Sequence, residues 1–318
     1  IGKDDSSSYW TNVKKGVMQA ADDLNKELGY KGSDKIKVTY NAPAKSEDID
    51  EQVNILDEEL SRYPDAVGIA SIDSAACSVQ FDLATANGIP IISLDSGNEY
   101  KGIQCIVKTD NEDAARTGAY KLANEIGDEG QVILVVHDSN SETAKERAKS
   151  FEEEIKNNYP SVSIVETIYC DKLDDLKKKI AVEKDPNISE DLQKAAVEKM
   201  TDDEVMQYYL EKYPDLKGVF GTNESSTIFA LEALQKTELA GKVALVGFDI
   251  SEEQTAAIKN GEIAGLVVQN PFGMGYASVI ASARTVLEIG NEAVVDTGYV
   301  WATAENMEDD DVKPLLYE

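Results

Sequence analysis

Four apolar runs constrain this chain most: "AVGIAS" (66–71), "IPIISL" (89–94), "VILVV" (132–136) and "VALVGF" (243–248). None alternates apolar with polar. A strand whose residues are apolar on both faces must be covered on both faces, as in parallel sheets sandwiched between helices. Between the runs lie helical periods. Val13, Val17, Ala20 and Leu24 fall at spacings of 4, 3 and 4 and make one apolar face. Tyr276, Ile280, Ala283 and Leu287 make another. Strand and helix alternate almost throughout, so the expected class is α/β, with parallel doubly wound sheets.

The element reading places strands at 35–42, 66–71, 131–137, 162–168, 218–221 and 243–248, and helices around 74–87 and over 142–158. Ser46 is the expected N-cap of the helix in "SEDIDEQVNILDEELSRY". An internal echo links "RYPDAVGIASIDSA" (62–75) to "KYPDLKGVFGTNES" (212–225). It implies two lobes of like fold, in which Asp95 corresponds to Asp249 and Asp73 to Asn223. Lys172 to Tyr213 is expected to be an exposed helical insertion, with "TDDE" (201–204) as a capping box.

Charge removes several functions. The 318 residues carry a net charge of -29, which a phosphate backbone or an anionic membrane surface would repel. No nucleic-acid partner is expected. The three cysteines, Cys77, Cys105 and Cys170, form no CxxC pair and are read as buried thiols. No apolar window of about 20 residues exists to span a bilayer. Ile1 and Gly2 look like the end of a strand, so an upstream segment of targeting type is expected.

In a doubly wound sheet, ligands bind beyond the carboxyl ends of the strands. Asp95, Asp249, Asn223, Asp73 and the only histidine, His137, fall at such ends. Arg147 sits in the early turns of the following helix, at the border of the stripe Ala144, Ala148, Phe151 and Ile155. Ser7, Tyr9 and Trp10 follow the truncated first strand. Carboxylates accept from hydroxyls, a guanidinium donates, and an aromatic face covers the apolar side of a sugar ring. The set suits a neutral polyhydroxyl ligand. A single strand-end aspartate is commonly a helix cap; two at corresponding places argue for a shared ligand. No GxSxG, phosphate-binding glycine loop or metal-ligand cluster occurs, so no catalytic residue, cofactor or metal is expected. The run Asp309–Asp311 reads as a solvated tail.

The order of motifs resembles the type I periplasmic sugar-binding proteins, the ribose/galactose-binding group of solute receptors for ABC importers. "SSSYWTNVKKGVMQAADDL", "IPIISLDS", "KTDNEDAARTGAYKL", "ETAKERAKSFEEEI", "GVFGTNESSTIFALEAL", "LVGFDIS" and "GEIAGLVVQNPFGMGY" carry it. The resemblance implies two Rossmann-like lobes joined by three hinge strands. The first would be 1–109 plus 270–297, and the second 110–269 plus 298–318, with an insertion near 172–212. It implies a monosaccharide or similar polyol held by hinge closure and delivered to an ABC permease by a monomeric, extracytoplasmic protein, periplasmic or lipid-anchored. It puts Tyr9 on the ring-stacking aromatic, with Trp10 beside it, Asp95 and Asp249 on the two carboxylates, Arg147 on the arginine, Asn223 on the amide and Gln269 on a hinge-side amide. Ser7 stands where Asn or Asp is frequent, Ser96 where ribose receptors have Arg, and Cys170, beside Tyr169, at the second-lobe aromatic position. The same fold serves as a sugar-sensing effector domain, the alternative reading; its helix-turn-helix is absent from this sequence.

Overall fold

Every strand among the described residues belongs to one of two sheets. The computed structural model describes residues 1–316; residues 317 and 318, the end of the expected second-lobe range, lie outside the described residues. The strands are β1 (Val67–Ile69), β2 (Ile91–Leu94), β3 (Ile103–Lys108), β4 (Gly130–Val136), β5 (Val162–Tyr169), β6 (Leu216–Gly221), β7 (Ala244–Phe248), β8 (Gly265–Gln269), β9 (Val294–Asp296) and β10 (Tyr299–Ala302). One sheet has the order β1-β2-β3-β9, the other β10-β8-β7-β6-β4-β5. All pairings are parallel except β10 with β8. The α/β class with two lobes is as the apolar runs require.

The helices are α1 (Ser8–Glu27), α2 (Ile49–Leu60), α3 (Ser78–Ala86), α4 (Asn111–Glu125), α5 (Glu142–Asn158), α6 (Leu173–Lys184), α7 (Glu190–Lys199), α8 (Asp202–Lys212), α9 (Glu224–Lys236), α10 (Glu252–Lys259) and α11 (Pro271–Val286). The chain passes between the sheets after β3, after β8 and between β9 and β10.

Five expectations need correction. The run 35–42 forms no regular strand: both backbone groups of Ile36 bond the Asn25 side chain instead of a neighbouring strand. Gly2 N–H donates to Asn41 O at 3.0 Å, while Ile1 pairs with Gly68 and Ala70 on its other side. Helix α2 is capped by Asp48, not Ser46: Glu47 has φ +63, which no helix accommodates, and Asp48 accepts from Glu51 N–H at 3.0 Å. In the Tyr-Pro-Asp echo, helix end and strand recur in both lobes, but the two turns differ in backbone. Tyr63 has φ +52 and is 76% exposed, whereas Tyr213 has φ -115 and donates its hydroxyl to Val165 O at 3.2 Å.

The presumed insertion divides. Leu173 and Ile180 of α6, and Val205, Met206, Tyr209 and Leu210 of α8, are core residues; only α7 buries nothing. Apolar side chains on one stripe of α6 and α8 are worth burying wherever a sheet face is open. The capping box at Thr201 and Glu204 is present.

Helix α11 buries Met274, Gly275, Ser278, Val279 and Ala281 rather than the stripe from Tyr276 to Leu287. Small residues decide the face, because α11 lies directly on α1. A Cβ at Gly16 would stand 2.0 Å from Phe272 O, and one at Gly275 2.0 Å from Val13 O. The three cysteines are free thiols, with Cys77 and Cys105 buried and Cys170 half-buried. No helix of the described residues is long and apolar enough to cross a membrane.

Candidate functional site

The two strand-ending aspartates share a backbone conformation. Asp95, just past β2, has φ +58, and Asp249, just past β7, has φ +65. Each donates its N–H across to the neighbouring strand at 2.8 Å, Asp95 to Val107 O on β3 and Asp249 to Val267 O on β8. The left-handed region costs most residues about 1–2 kcal/mol, less for Asp and Asn. Here it ends the ladder and turns the chain off the sheet. Both aspartates are buried, and both line one cavity of about 380 Å³ to which the two sheets contribute.

On the first-sheet side, α1 supplies the wall. Ser7 caps the helix by accepting from Trp10 N–H at 3.3 Å. The cap sets Tyr9 and Trp10 in the first turn, edge to face with centroids 5.2 Å apart. Tyr9 donates its hydroxyl to Asp95 Oδ1 at 2.5 Å, and Lys3 Nζ lies 3.7 Å from Asp95 Oδ2. Both aromatics are core residues and cavity residues at once.

On the second-sheet side, α5 presents Arg147, only 2% exposed. Its Nε donates to Asn111 Oδ1 at 2.9 Å and its Nη1 to Thr222 O at 2.7 Å. Its guanidinium carbon lies 4.2 Å from the Phe248 ring centre. Among the described residues no carboxylate oxygen comes within 4.0 Å of it. Asn223 caps α9, its Oδ1 accepting from Ser226 N–H at 2.9 Å. Gln269 donates from Nε2 to Asp249 Oδ1 at 2.7 Å and accepts from Thr109 Oγ1 at 2.9 Å. It thereby ties Asp249 to the crossing after β3. His137 is also in the lining, its Nδ1 2.7 Å from Thr222 Oγ1. Burial outweighs the neighbouring Asp138 and pushes the imidazole pKa down to about 3, so the ring is neutral.

Two contacts span the lobes beside the cavity. Lys108 of β3 pairs with Glu146 of α5 at 2.5 Å, and Lys145 Nζ donates to Ser74 Oγ at 3.2 Å.

A family profile described as a periplasmic binding protein domain matches residues 1–290. The chain belongs to that family. The ribose import binding protein of Escherichia coli is 25% identical over 285 residues, 89% of this chain and 82% of that protein. A carbohydrate transporter solute binding protein of Agrobacterium radiobacter, solved with D-arabinose, superposes with a TM-score of 0.81. It is 27% identical and covers 99% of this chain and 97% of its own. An ABC transporter solute binding protein of Agrobacterium vitis, solved with D-fucose, gives 0.80 at 25% identity, covering 100% and 98%.

Within this periplasmic binding protein, Ser7, Tyr9, Trp10, Asp95, His137, Arg147, Asn223, Asp249 and Gln269 line the one cavity. Asp73, Tyr169 and Cys170 do not. Asp73 is used locally, its Oδ1 accepting from Ala75 N–H at 2.8 Å and Ala76 N–H at 2.7 Å. Tyr169 packs on the core, with Lys172 Nζ 5.8 Å from its ring centre. The Cys170 thiol is pushed up to about 12 by burial and then by Asp171. Position along the strand ends did not separate these three from the others, because β5 is an edge strand and the Asp73 carboxylate is taken up within its own turn.

The lining also contains Lys3, Asp4, Glu47, Thr143 and Glu224, which the sequence reading passed over. Lys3 and Asp4 lie just ahead of the serine run, with Asp5 between, and Glu224 directly follows Asn223; nearness to chosen residues was the available signal. Burial first, then Asp249 and Asp4, pushes the Glu224 pKa up to about 7. Among the described residues, no group of three His, Cys, Asp or Glu could hold a metal ion.

Proposed function

We propose that this periplasmic binding protein captures a monosaccharide or similar polyol outside the cytoplasm and hands it to an ABC importer permease. One observation carries the reading: two aspartates with the same left-handed geometry, one from each sheet, line the same cavity. Family membership and the sugar-bound relatives support it. Asp95 and Asp249 accept hydroxyls from opposite sides, Arg147 donates, and Asn223 and Gln269 do both. The Tyr9 and Trp10 rings cover the apolar C–H side of the ligand.

The mechanism is hinge closure. The three crossings are the hinge, which divides the chain into 1–109 plus 270–297 and 110–269 plus 298–318. Ligand bridges both lobes only when they meet, so it shifts an open–closed equilibrium by its differential contacts. Lys108–Glu146 and Lys145–Ser74 belong to the closed form. No bond of the ligand is made or broken, and the protein works as a monomer.

A thermal-shift screen tests the reading with D-arabinose, D-ribose, D-fucose, D-tagatose and xylitol, alongside hexoses and amino sugars. Ligand at 100 times its dissociation constant adds about 2.7 kcal/mol of stability. A flat midpoint across the whole panel refutes it.

A further inference from the structure

The cavity is lined by five carboxylates, Asp4, Glu47, Asp95, Glu224 and Asp249, against two cations, Lys3 and Arg147. Lys3 stands against Asp95. Arg147 is engaged by an amide and a carbonyl oxygen. Among the described residues, neither Asp4 nor Glu224 has a Lys or Arg nitrogen within 4.0 Å. The two acids enter from different lobes. Asp4 precedes α1, buried, with Oδ1 accepting from Ser6 N–H at 3.0 Å and Ser7 N–H at 2.9 Å. Glu224 opens α9, and its N–H donates to Asp249 Oδ2 at 3.2 Å. Closing the cleft brings acids of the two lobes together in a place drained of water, where like charges repel most.

We propose that the ligand is a polyhydroxyl compound carrying a protonated amine, an amino sugar or amino polyol, whose ammonium group is held between Asp4 and Glu224. This rests on the sugar-receptor reading of the cavity. A neutral hydroxyl can donate one hydrogen bond to a carboxylate and leaves the charge excess as it was. An ammonium offers three donors and a positive charge, so it answers both lobes at once. The raised pKa of Glu224 fits: burial first, then Asp249 and Asp4, makes the carboxyl hold a proton more tightly than usual. Hydroxyls of the same ligand remain for Asp95, Arg147 and Asn223.

Matched sets at pH 7.5 test this by calorimetric titration: galactose, galactosamine and N-acetylgalactosamine; the glucose series; and the pair of sorbitol and its terminal amine. The amine in at least one series is expected to bind roughly tenfold or more tighter than its hydroxyl parent, and the uncharged N-acetyl form to lose that gain. Glu224→Gln removes the preference. Asp4→Asn gives a second reading of it from the other lobe, should either variant fold poorly. Neutral parents that bind as tightly as their amines, or a preference that survives both substitutions, overturn the inference and leave the sugar receptor standing. If no amine, sugar or polyol binds at all, the receptor reading itself falls.

Discussion

Tyr9 donates its phenolic proton to Asp95 Oδ1 across 2.5 Å, so the first turn of α1 and the end of β2 are joined at the cavity wall. A carboxylate held this way keeps one oxygen fixed and turns the other toward Lys3. Tyr9→Phe keeps the ring and removes the donor. The loss of a hydrogen bond to a charged group lowers stability by about 1.5–3 kcal/mol. Chemical denaturation should show that loss, and calorimetry a weaker affinity for the ligand. A variant with both quantities unchanged would separate Asp95 from the aromatic wall.

Asp249 is held by Gln269 and by the N–H of Glu224. Asp249→Ala strands both donors in a buried place and removes the acceptor facing Asp95. Affinity should fall at least tenfold, about 1.4 kcal/mol, measured by calorimetric titration. Affinity equal to that of the parent removes Asp249 from the site.

Glu224 makes stability depend on pH. Its folded pKa of about 7 lies above the ordinary 4.5, so the folded chain binds a proton before the unfolded chain does. Burial first, then Asp249, Asp4 and Glu253, presses the value up, and a hydrogen bond from Ser251 opposes them. Stability contributed by this group is greatest below the unfolded value and is lost as pH rises toward 7, levelling above it. Glu224→Gln cannot titrate. The difference in melting midpoint between variant and parent should therefore grow in favour of the variant from pH 5 to pH 8. A constant difference contradicts the assignment.

The fold was legible because unbroken apolar runs such as Val132–Val136 admit few alternatives, and capping residues such as Thr201 and Glu204 act locally. What failed had a distant cause. Residues 35–42 have strand composition, but a strand exists only with a partner strand, and Ile36 is bonded by the Asn25 side chain instead. The stripe from Tyr276 to Leu287 is the more apolar face of α11, yet Gly275 faces α1 because bare backbone permits the closer approach. The strand-end aspartates could be read from sequence, since Asp is unusual after an apolar run. Glu224 could not: its significance comes from Asp249 and Asp4, which are remote in the chain.

The contact between α1 and α11 gives a stability prediction. Gly275→Ala gains helix propensity of about 1 kcal/mol. It also drives a methyl group to 2.0 Å from Val13 O, a backbone atom that cannot rotate away. Overpacking of this kind typically costs about 1–3 kcal/mol, and the rigid neighbour puts it at the upper end. The melting midpoint should drop; a rise would mean that the helices separate freely.

That bare crossing also decides what a closing motion can reach. Helix α11 starts two residues beyond Gln269, where the chain changes sheets, and α1 bears Tyr9 and Trp10 at its head. Side chains between two helices act as a cushion; backbone laid on backbone leaves none. A turn at residue 270 therefore travels to the aromatic pair without being absorbed on the way. Under the proposed closure, the aromatic wall moves as one piece with the joint, so a guest is sorted by whether two hard jaws can meet around it.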